Sequence, residues 1–381
     1  MNDETNLKRR PKRWKRILKW TASAILLALI VWGFVTYWTS TNDCGQYAVT
    51  PANPMKAIVY CDYGIPNLKL QEIEKPMPAD DQLLVKVHAV SVNPLDWHFI
   101  EGTPYIGRFL FGFGARKPKD TRLGVDFAGT VEAIGKNVTK YKPGDEVFGG
   151  RTGAFADYVC VREARAVALK PAGITFEQAA SVPIAGITAL QAIRDKGHVQ
   201  PGQSVLINGA SGGVGTFAVQ IAKSYGADVT GVCSTRNLDL VRSIGADHVI
   251  DYTKEDFTKS DKRYDLIVDN VGNRSLSECR RVLKPKGTFV LVGGGGANEQ
   301  GLIGGMAKPV KLMLVSPFVN QKMGMILAEL NHDDLAYLAE LMQNVKVKPV
   351  IDRTYKLSEL PDAIRYLEQG HARGKVIVNI D

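Results

Sequence analysis

The stretch Val205-Leu206-Ile207-Asn208-Gly209-Ala210-Ser211-Gly212-Gly213-Val214-Gly215 limits the folds open to this chain more than any other segment. An apolar run of strand character enters a glycine turn, and TFAVQIAKSYG continues as an apolar-periodic helix. Read against G-x-G-x-x-G, Ala210 takes the first position, with Gly212 and Gly215 in the second and third. Each position has a physical reason. Glycine at 212 lets the backbone approach a pyrophosphate, and glycine at 215 lets helix and strand pack closely. The turn Ser211–Val214 opens the helix, where amide hydrogens and a partial positive charge meet an anion. A bare glycine turn is the plainer reading, but the strand before it and the helix after it favour a dinucleotide site.

The residues beyond that helix supply the rest of such a unit. DVTGVCS, HVIDY, YDLIVDNVG and GTFVLVGGGG read as further strands, with helical spacers such as NLDLVRSIGA between them. Strands alternating with helices at this spacing predict a doubly wound parallel sheet, a Rossmann unit over residues 183–316. The end of its second strand discriminates between cofactors. An NAD site usually places a carboxylate there for the ribose 2′-hydroxyl. Here the strand ends Val232-Cys233-Ser234-Thr235-Arg236-Asn237, with no carboxylate before Asp239. Ser234 and Arg236 instead suit a 2′-phosphate, which favours NADPH over NADH. Gly293 and Gly294, closing GTFVLVG, would leave bare backbone for a nicotinamide at the carboxyl edge of the sheet. The plainer readings are a solvated arginine and a glycine loop without cofactor contact.

The flanking segments read differently. Residues 55–182 hold short strands such as MKAIVY and QLLVKVHAVSV, broken by the KPGD turn at Lys142–Asp145. The tail 317–381 reads as a helix over Lys322–Asn344, strand-like residues at VKPVIDRTY, a helix over Ser358–Gln369 and a last strand, GKVIVNI. A return to strands after the parallel unit suggests that the C-terminus packs back into the first domain.

Ahead of the body, Trp20–Trp38 is a run of nineteen residues without a charge, bounded by Trp20 at one end and Tyr37 and Trp38 at the other. At helical rise it reaches roughly 28 Å, enough to cross a hydrocarbon core. Residues 1–19 carry eight of the basic residues and a net +6 of the chain's +9, so the charge balance implies no basic surface on the body and no nucleic-acid partner. The segment reads as an uncleaved single-pass anchor rather than a signal peptide, because the apolar run is long and lacks a small-x-small site. The basic tail then belongs in the cytoplasm. Reduced nicotinamide cofactors are cytoplasmic too, so the side that holds the body stays open. Residues 39–54 read as a linker. The five cysteines (44, 61, 160, 233, 279) show no pairing motif and read as isolated thiols, giving no disulfide framework and no zinc cluster.

From Met55 onward the chain resembles the medium-chain dehydrogenase/reductases, in their zinc-free quinone oxidoreductase-like branch. The phrases that carry the resemblance are SVNPLDW (Ser91–Trp97), GVDFAGTVEAIGKNVTKYKPGDEVFG (Gly124–Gly149), GAFADYV (Gly153–Val159), SVPIAGITALQAI (Ser181–Ile193) and NGASGGVG. The resemblance implies a GroES-like, β-rich catalytic domain split around the Rossmann domain. The zinc branch supplies cysteine, histidine and cysteine ligands at positions that here fall in Val92-Asn93-Pro94, at Val125 of Gly124-Val125-Asp126 and in Ala185–Thr188. Without those N/S ligands no tetrahedral site is built, so alcohol dehydrogenation through zinc is disfavoured. What remains is hydride transfer to a quinone or an α,β-unsaturated carbonyl, acceptors that delocalise the added charge. The resemblance places Asn93 and Thr188 in the cleft, Tyr105 near a tyrosine able to donate a proton, and Tyr252 beside the adenine and 2′-phosphate. The loop Gly102–Lys119, with Phe109, Phe111 and Phe113, would make an apolar lid. Among the histidines, none of which shows ligand spacing, His98, near Asn93, is the one with a functional reading. A homodimer is a further expectation from the resemblance. The competing readings are a non-catalytic NADPH-binding scaffold or redox sensor, and an alcohol dehydrogenase.

Overall fold

The computed structural model describes residues 11–110, 113–293 and 307–380. Two sheets dominate. The first begins with the hairpin β1 (Pro54–Val59) and β2 (Lys69–Glu74), which stands apart as an antiparallel pair. β3 (Gln82–Val92), β4 (Asp126–Ile134), β5 (Glu146–Gly150), β6 (Tyr158–Arg162) and β7 (Val167–Leu169) then build an antiparallel sheet around β3. β3 pairs along both edges, with β4 on one side and with β6 and the C-terminal strand on the other, and its run Leu83–Val85 is nearly wholly buried.

The second sheet is parallel throughout. β8 (Ser204–Asn208), β9 (Asp228–Cys233), β10 (His248–Asp251), β11 (Tyr264–Asp269), β12 (Leu283–Val292) and β13 (Lys322–Ile326) lie in the order β10-β9-β8-β11-β12-β13. Numbered from β8, that is 3-2-1-4-5-6, the order of dinucleotide-binding sheets. Parallel strands are covered on both faces by helices and therefore read as continuous apolar runs. Val205, Leu206 and Ile207 are each fully buried.

The sequence expectation differs here in one respect. Lys322–Asn344 reads as a helix beyond a unit that ends at 316, yet Lys322–Ile326 is the sixth strand of the parallel sheet, Met323 opposite Phe289. The helix begins only at His332, because Asn331 caps it by accepting from Asp334 N at 2.8 Å. The apolar face of KMGMI closes the edge that β12 would otherwise leave open. Beyond it, β14 (Ile351–Lys356) and β15 (Lys375–Asn379) return to the first sheet, where Val376–Asn379 pair with Val92–Ala89 of β3.

The N-terminal helix α1 (Pro11–Trp38) contains one span, Trp20–Trp38, long and apolar enough to cross a membrane, and that span is not buried by the rest of the chain. The segment after it departs from a free linker. Asn42 Nδ2 donates to Cys61 O, Thr121 Oγ1 donates to Asp43 Oδ1, Tyr47 and Thr121 share a 2.7 Å hydrogen bond, and Glu74 accepts from the Ala52 and Asn53 amides. The reading of five isolated thiols is corrected as well. Cys44 and Cys61 form a disulfide, Cα atoms 5.9 Å apart, leaving Cys160, Cys233 and Cys279 free. No spacing motif marks this pair. It exists because residues 42–48 fold back along the end of β1.

Candidate active site

The glycine turn joins β8 to α6 (Gly213–Ser224). Gly209 adopts φ +80°, and a Cβ added to Gly215 would sit 2.1 Å from Gly209 O, so helix and strand approach as closely as only glycine allows. In a helix's first turn the amides lack an intrahelical acceptor, so Gly213 and Val214 present theirs at the carboxyl end of β8. Ala210 is buried beneath the turn. Ser211 Oγ accepts from Asn237 Nδ2 at 3.0 Å, and the same amide donates to Ser234 Oγ at 3.2 Å. Asn237, which carries no motif of its own in the sequence, thereby ties the turn to the end of β9.

Ser234, Arg236 and Tyr252 gather at the carboxyl ends of β9 and β10. Arg236 is exposed and donates to His371 O at 2.8 Å. Tyr252 is half-exposed, its amide held by Cys233 O. Asp251 ends β10 nearby, and its carboxylate is taken up by Thr235 Oγ1 and by the amide and hydroxyl of Thr253, which hold its pKa below the usual range. Gly293 follows β12 with φ +78°, and Gly294 lies outside the described residues. At the point where strand order reverses, Asn208 of β8 donates to Asp269 Oδ1 of β11 at 2.8 Å, and Lys308 Nζ meets Asp269 Oδ2 at 2.9 Å. No local motif announced this trio.

Across from the turn lies a buried polar cluster. Asn93 precedes α2 (Pro94–Glu101), and Asp96 in that helix's first turn accepts from Asn93 N at 2.8 Å. The Asn93 side chain is fully engaged: Nδ2 donates to Ser91 O at 3.2 Å and Asp126 Oδ2 at 3.0 Å, while Oδ1 accepts from Lys375 Nζ at 2.5 Å. Asp126, at the start of β4, also accepts from Ser91 Oγ at 2.7 Å and from Ile184 N at 3.0 Å. Ile184 opens α5 (Pro183–Gln191), on which Thr188 Oγ1 donates back to Ile184 O at 2.7 Å. Burial pushes the Asp96 carboxyl up to about 7, although the Asn93 amide pulls it down. Burial also raises the Asp126 carboxyl, against the opposing pull of Lys375, Ser91 and Asn93.

The structure thus brings Asn93 and the helix of Thr188 to one hub, and that hub is Asp126. Tyr105 is placed elsewhere. It is 46% exposed on the loop before α3 (Gly107–Leu110), with the Arg108 guanidinium 4.9 Å from its ring and 4.1 Å from that of Tyr63. His98 binds Thr103 O through Nδ1 and packs on Trp97, a role in holding that loop. In the loop, Phe113 packs on Phe99 at 4.7 Å and Phe109 on Trp32 of α1 at 6.1 Å, while Phe111 lies outside the described residues. Asp126 falls inside the GVDFAG phrase and Lys375 opens the last strand, but nothing local in the sequence pairs the two.

A parallel sheet of this order, its glycine turn set against a buried polar cluster of a β-rich domain, defines a nicotinamide-dinucleotide oxidoreductase. The chain belongs to the medium-chain dehydrogenase/reductase superfamily, in its quinone oxidoreductase-like branch. Residues 79–171 match the alcohol dehydrogenase GroES-like domain, and residues 244–378 match the zinc-binding dehydrogenase family. Over 352 residues the chain is 36% identical to the mitochondrial NAD(P)H oxidoreductase RTN4IP1 of Mus musculus, covering 82% of this chain and 84% of that protein. It is 33% identical over 348 residues to the 2-methylene-furan-3-one reductase of Solanum lycopersicum, covering 87% and 81% of the two chains. The solved structure of the quinone oxidoreductase from Coxiella burnetii superposes with a TM-score of 0.75 at 31% identity, over 86% of this chain and all of that one.

Proposed function

We propose that this chain is a zinc-independent, NADPH-dependent reductase that passes a hydride to a quinone or an α,β-unsaturated carbonyl. The observation that carries the reading is the direct apposition of the glycine turn and the Asn93 cluster, since Gly212 bridges to Gly374, the neighbour of Lys375 in that cluster. The names of the relatives, a quinone oxidoreductase and a reductase of a methylene-furanone, support the same acceptor class. Bound at the turn, a reduced nicotinamide supplies the hydride. The protein's own residues bind and orient. The Gly213 and Val214 amides take the pyrophosphate, while Ser234, Arg236 and Tyr252 take the 2′-phosphate end. Gly293 and Gly294 leave room for the nicotinamide face. Asn93 and Thr188 shape the floor on which the acceptor rests.

Segments that carry metal ligands in the zinc branch hold Asn93, Val125 and Thr188 here, none of them a strong zinc ligand. The acceptor must therefore spread the added charge over its own π system, as quinones and enones do. Tyr105 is a candidate proton donor only if its loop closes over the acceptor, because it stands half-exposed. Turnover by the full chain in detergent, followed as loss of reduced-nicotinamide absorbance, tests the reading. Fast oxidation of NADPH with quinones or enones, and slow oxidation of NADH, is the expected outcome. Tight NADPH binding without turnover on any acceptor would instead favour a scaffold or sensor.

Anchoring belongs to the same reading. The uncovered span Trp20–Trp38 follows a strongly basic tail, and a disulfide stands six residues beyond its end. Retention of basic residues in the cytoplasm and persistence of disulfides in oxidising compartments point the same way, with the body on the far side, where it would need reduced nicotinamide supplied to that compartment. The Phe109 contact to Trp32 brings the aromatic loop after α2 to the anchor, which suits a lipid-soluble acceptor. In sealed vesicles of known orientation, Cys44 and Cys61 should take up a membrane-impermeant maleimide only after reduction, and only from the non-cytoplasmic face. Labelling from the cytoplasmic face would reverse the assignment, and labelling without reductant would show that the disulfide does not form. Pairing of two copies along the β13 edge would give the homodimer expected from the resemblance, checked by light scattering.

A further inference from the structure

A lysine ammonium enclosed in protein is costly unless counter-charge meets it, and Lys375 is only 4% exposed. It opens β15 directly after Gly374, whose backbone bridges to Gly212 of the glycine turn. Its stem runs past that turn, so that a Cβ added at Gly213 would lie 3.1 Å from Lys375 Cδ. Its head stops 2.5 Å from Asn93 Oδ1 and 3.7 Å from Asp126 Oδ2. One side chain therefore joins the cofactor turn to the cleft floor. The Asn93 amide is oriented to match, since a flip would set its NH2 against the ammonium and its oxygen against the carboxylate. The charged groups facing the ammonium are Asp126 of β4 and Asp96 of α2. Burial disfavours the charged lysine, and both carboxylates oppose that. Through Asp126 the lysine reaches Ser91, Asn93 and the first turn of α5, segments that meet here with no metal ligand among Asn93, Val125 and Thr188.

We propose that Lys375 is a positioning residue for hydride transfer: its ammonium pins Asn93 and Asp126 against the glycine turn and is the fixed positive charge beneath the acceptor as that acceptor becomes anionic. The inference rests on the reductase reading. In the step it serves, the acceptor gains a hydrogen with both bonding electrons, the nicotinamide loses them, and a proton from water completes the product. Lys375 keeps its own protons throughout and acts through its field and through the cluster it holds.

Three variants of the full chain test this: Lys375→Met, Lys375→Arg and the double variant Lys375→Met with Asp126→Asn. Thermal unfolding at mildly acidic and mildly alkaline pH comes first. Lys375→Met should lose more stability at alkaline pH, where the unpaired Asp126 must take up a proton to stay buried, and Asp126→Asn in the same chain should remove that difference. Equal losses at both pH values, with no rescue, would show that the pin does not exist. NADPH binding and turnover come second. Lys375→Met should bind NADPH as the wild type does but lose about tenfold or more in kcat with enones. The loss should be smaller with quinones, which spread charge further, and Lys375→Arg should recover part of it. A loss explained wholly by weaker NADPH binding, or equal for both acceptor classes, would overturn the electrostatic role. A wild-type chain that binds NADPH and reduces no acceptor would refute the reductase reading and the role in hydride transfer with it, while the unfolding comparison would still decide whether the pin exists.

Discussion

The two sides of the cleft are built at different ranges along the chain. The cofactor side is short-range: Gly209, Gly212 and Gly215 fall within one turn, and Ser234, Arg236 and Asn237 come directly after the next strand. The floor is long-range, because Asn93 and Lys375 are 282 residues apart and Asp126 and Ile184 lie between them. Steric demand governs the first side and charge balance the second. Mutations should therefore fail in different ways on each.

The sharpest break is expected at Gly215. A valine there would place Cβ 2.1 Å from Gly209 O and 2.8 Å from Ala210 Cα, backbone atoms that cannot step aside. Gly215→Val should leave no folded dinucleotide unit, seen as loss of NADPH fluorescence enhancement and of parallel-sheet circular dichroism. Wild-type NADPH affinity in that variant would undo the claim that close approach rules the cofactor side.

Asp126→Ala should be the next largest. It strips an acceptor from each of Ser91 Oγ, Asn93 Nδ2 and Ile184 N and takes from the buried ammonium its carboxylate partner at 3.7 Å. Breaking such a pair by removing one partner costs about 3–5 kcal/mol, to be read from denaturant unfolding. A cost within experimental error would mean that the floor, too, is held by shape rather than charge.

The same contrast explains what the sequence disclosed. The strand–turn–helix around Gly212 is legible because each of its residues answers a local constraint. So are the parallel strands, whose burial on both faces demands unbroken apolar runs. The strand Lys322–Ile326 was hidden because glycine and two methionines mark neither helix nor strand strongly, and only the open edge of β12 decides. The Cys44–Cys61 pair and the Asp126–Lys375 pair were hidden for a related reason. Each is a meeting of single residues arranged by the whole fold, with no spacing to reveal it. Asn93 and Thr188 could be named only through the resemblance, and the hydrogen bonds that hold them not at all.

Charge balance also predicts a pH signature confined to the floor. The Asp96 carboxyl stands at about 7 in the fold, raised chiefly by burial, against an ordinary value near 3.8. A carboxyl whose folded pKa is raised is neutral in the fold while the unfolded chain ionises. It therefore lowers stability progressively as pH rises from its unfolded pKa to its folded one. The wild type should unfold more readily at pH above about 7 than near pH 5, and Asp96→Asn should flatten that slope while keeping an acceptor for Asn93 N. An unchanged slope would remove Asp96 from the charge balance.

The smallest expected effect lies on the cofactor side and sharpens the comparison from the other direction. Arg236 is exposed and donates to a carbonyl, His371 O, which water can replace. Arg236→Ala should leave folding and the Asn93 cluster untouched, with unfolding midpoints unchanged. If Arg236 turns to a 2′-phosphate, its loss should raise the KM for NADPH about tenfold, roughly 1.4 kcal/mol, and leave the KM for NADH alone. An equal rise for both cofactors would assign the arginine to the pyrophosphate or to the loop at His371. No change for either would leave the 2′-phosphate to Ser234 and Tyr252. A selective loss would show that the cofactor side, rigid by sterics at Gly215, still selects its ligand by one exposed charge at its rim.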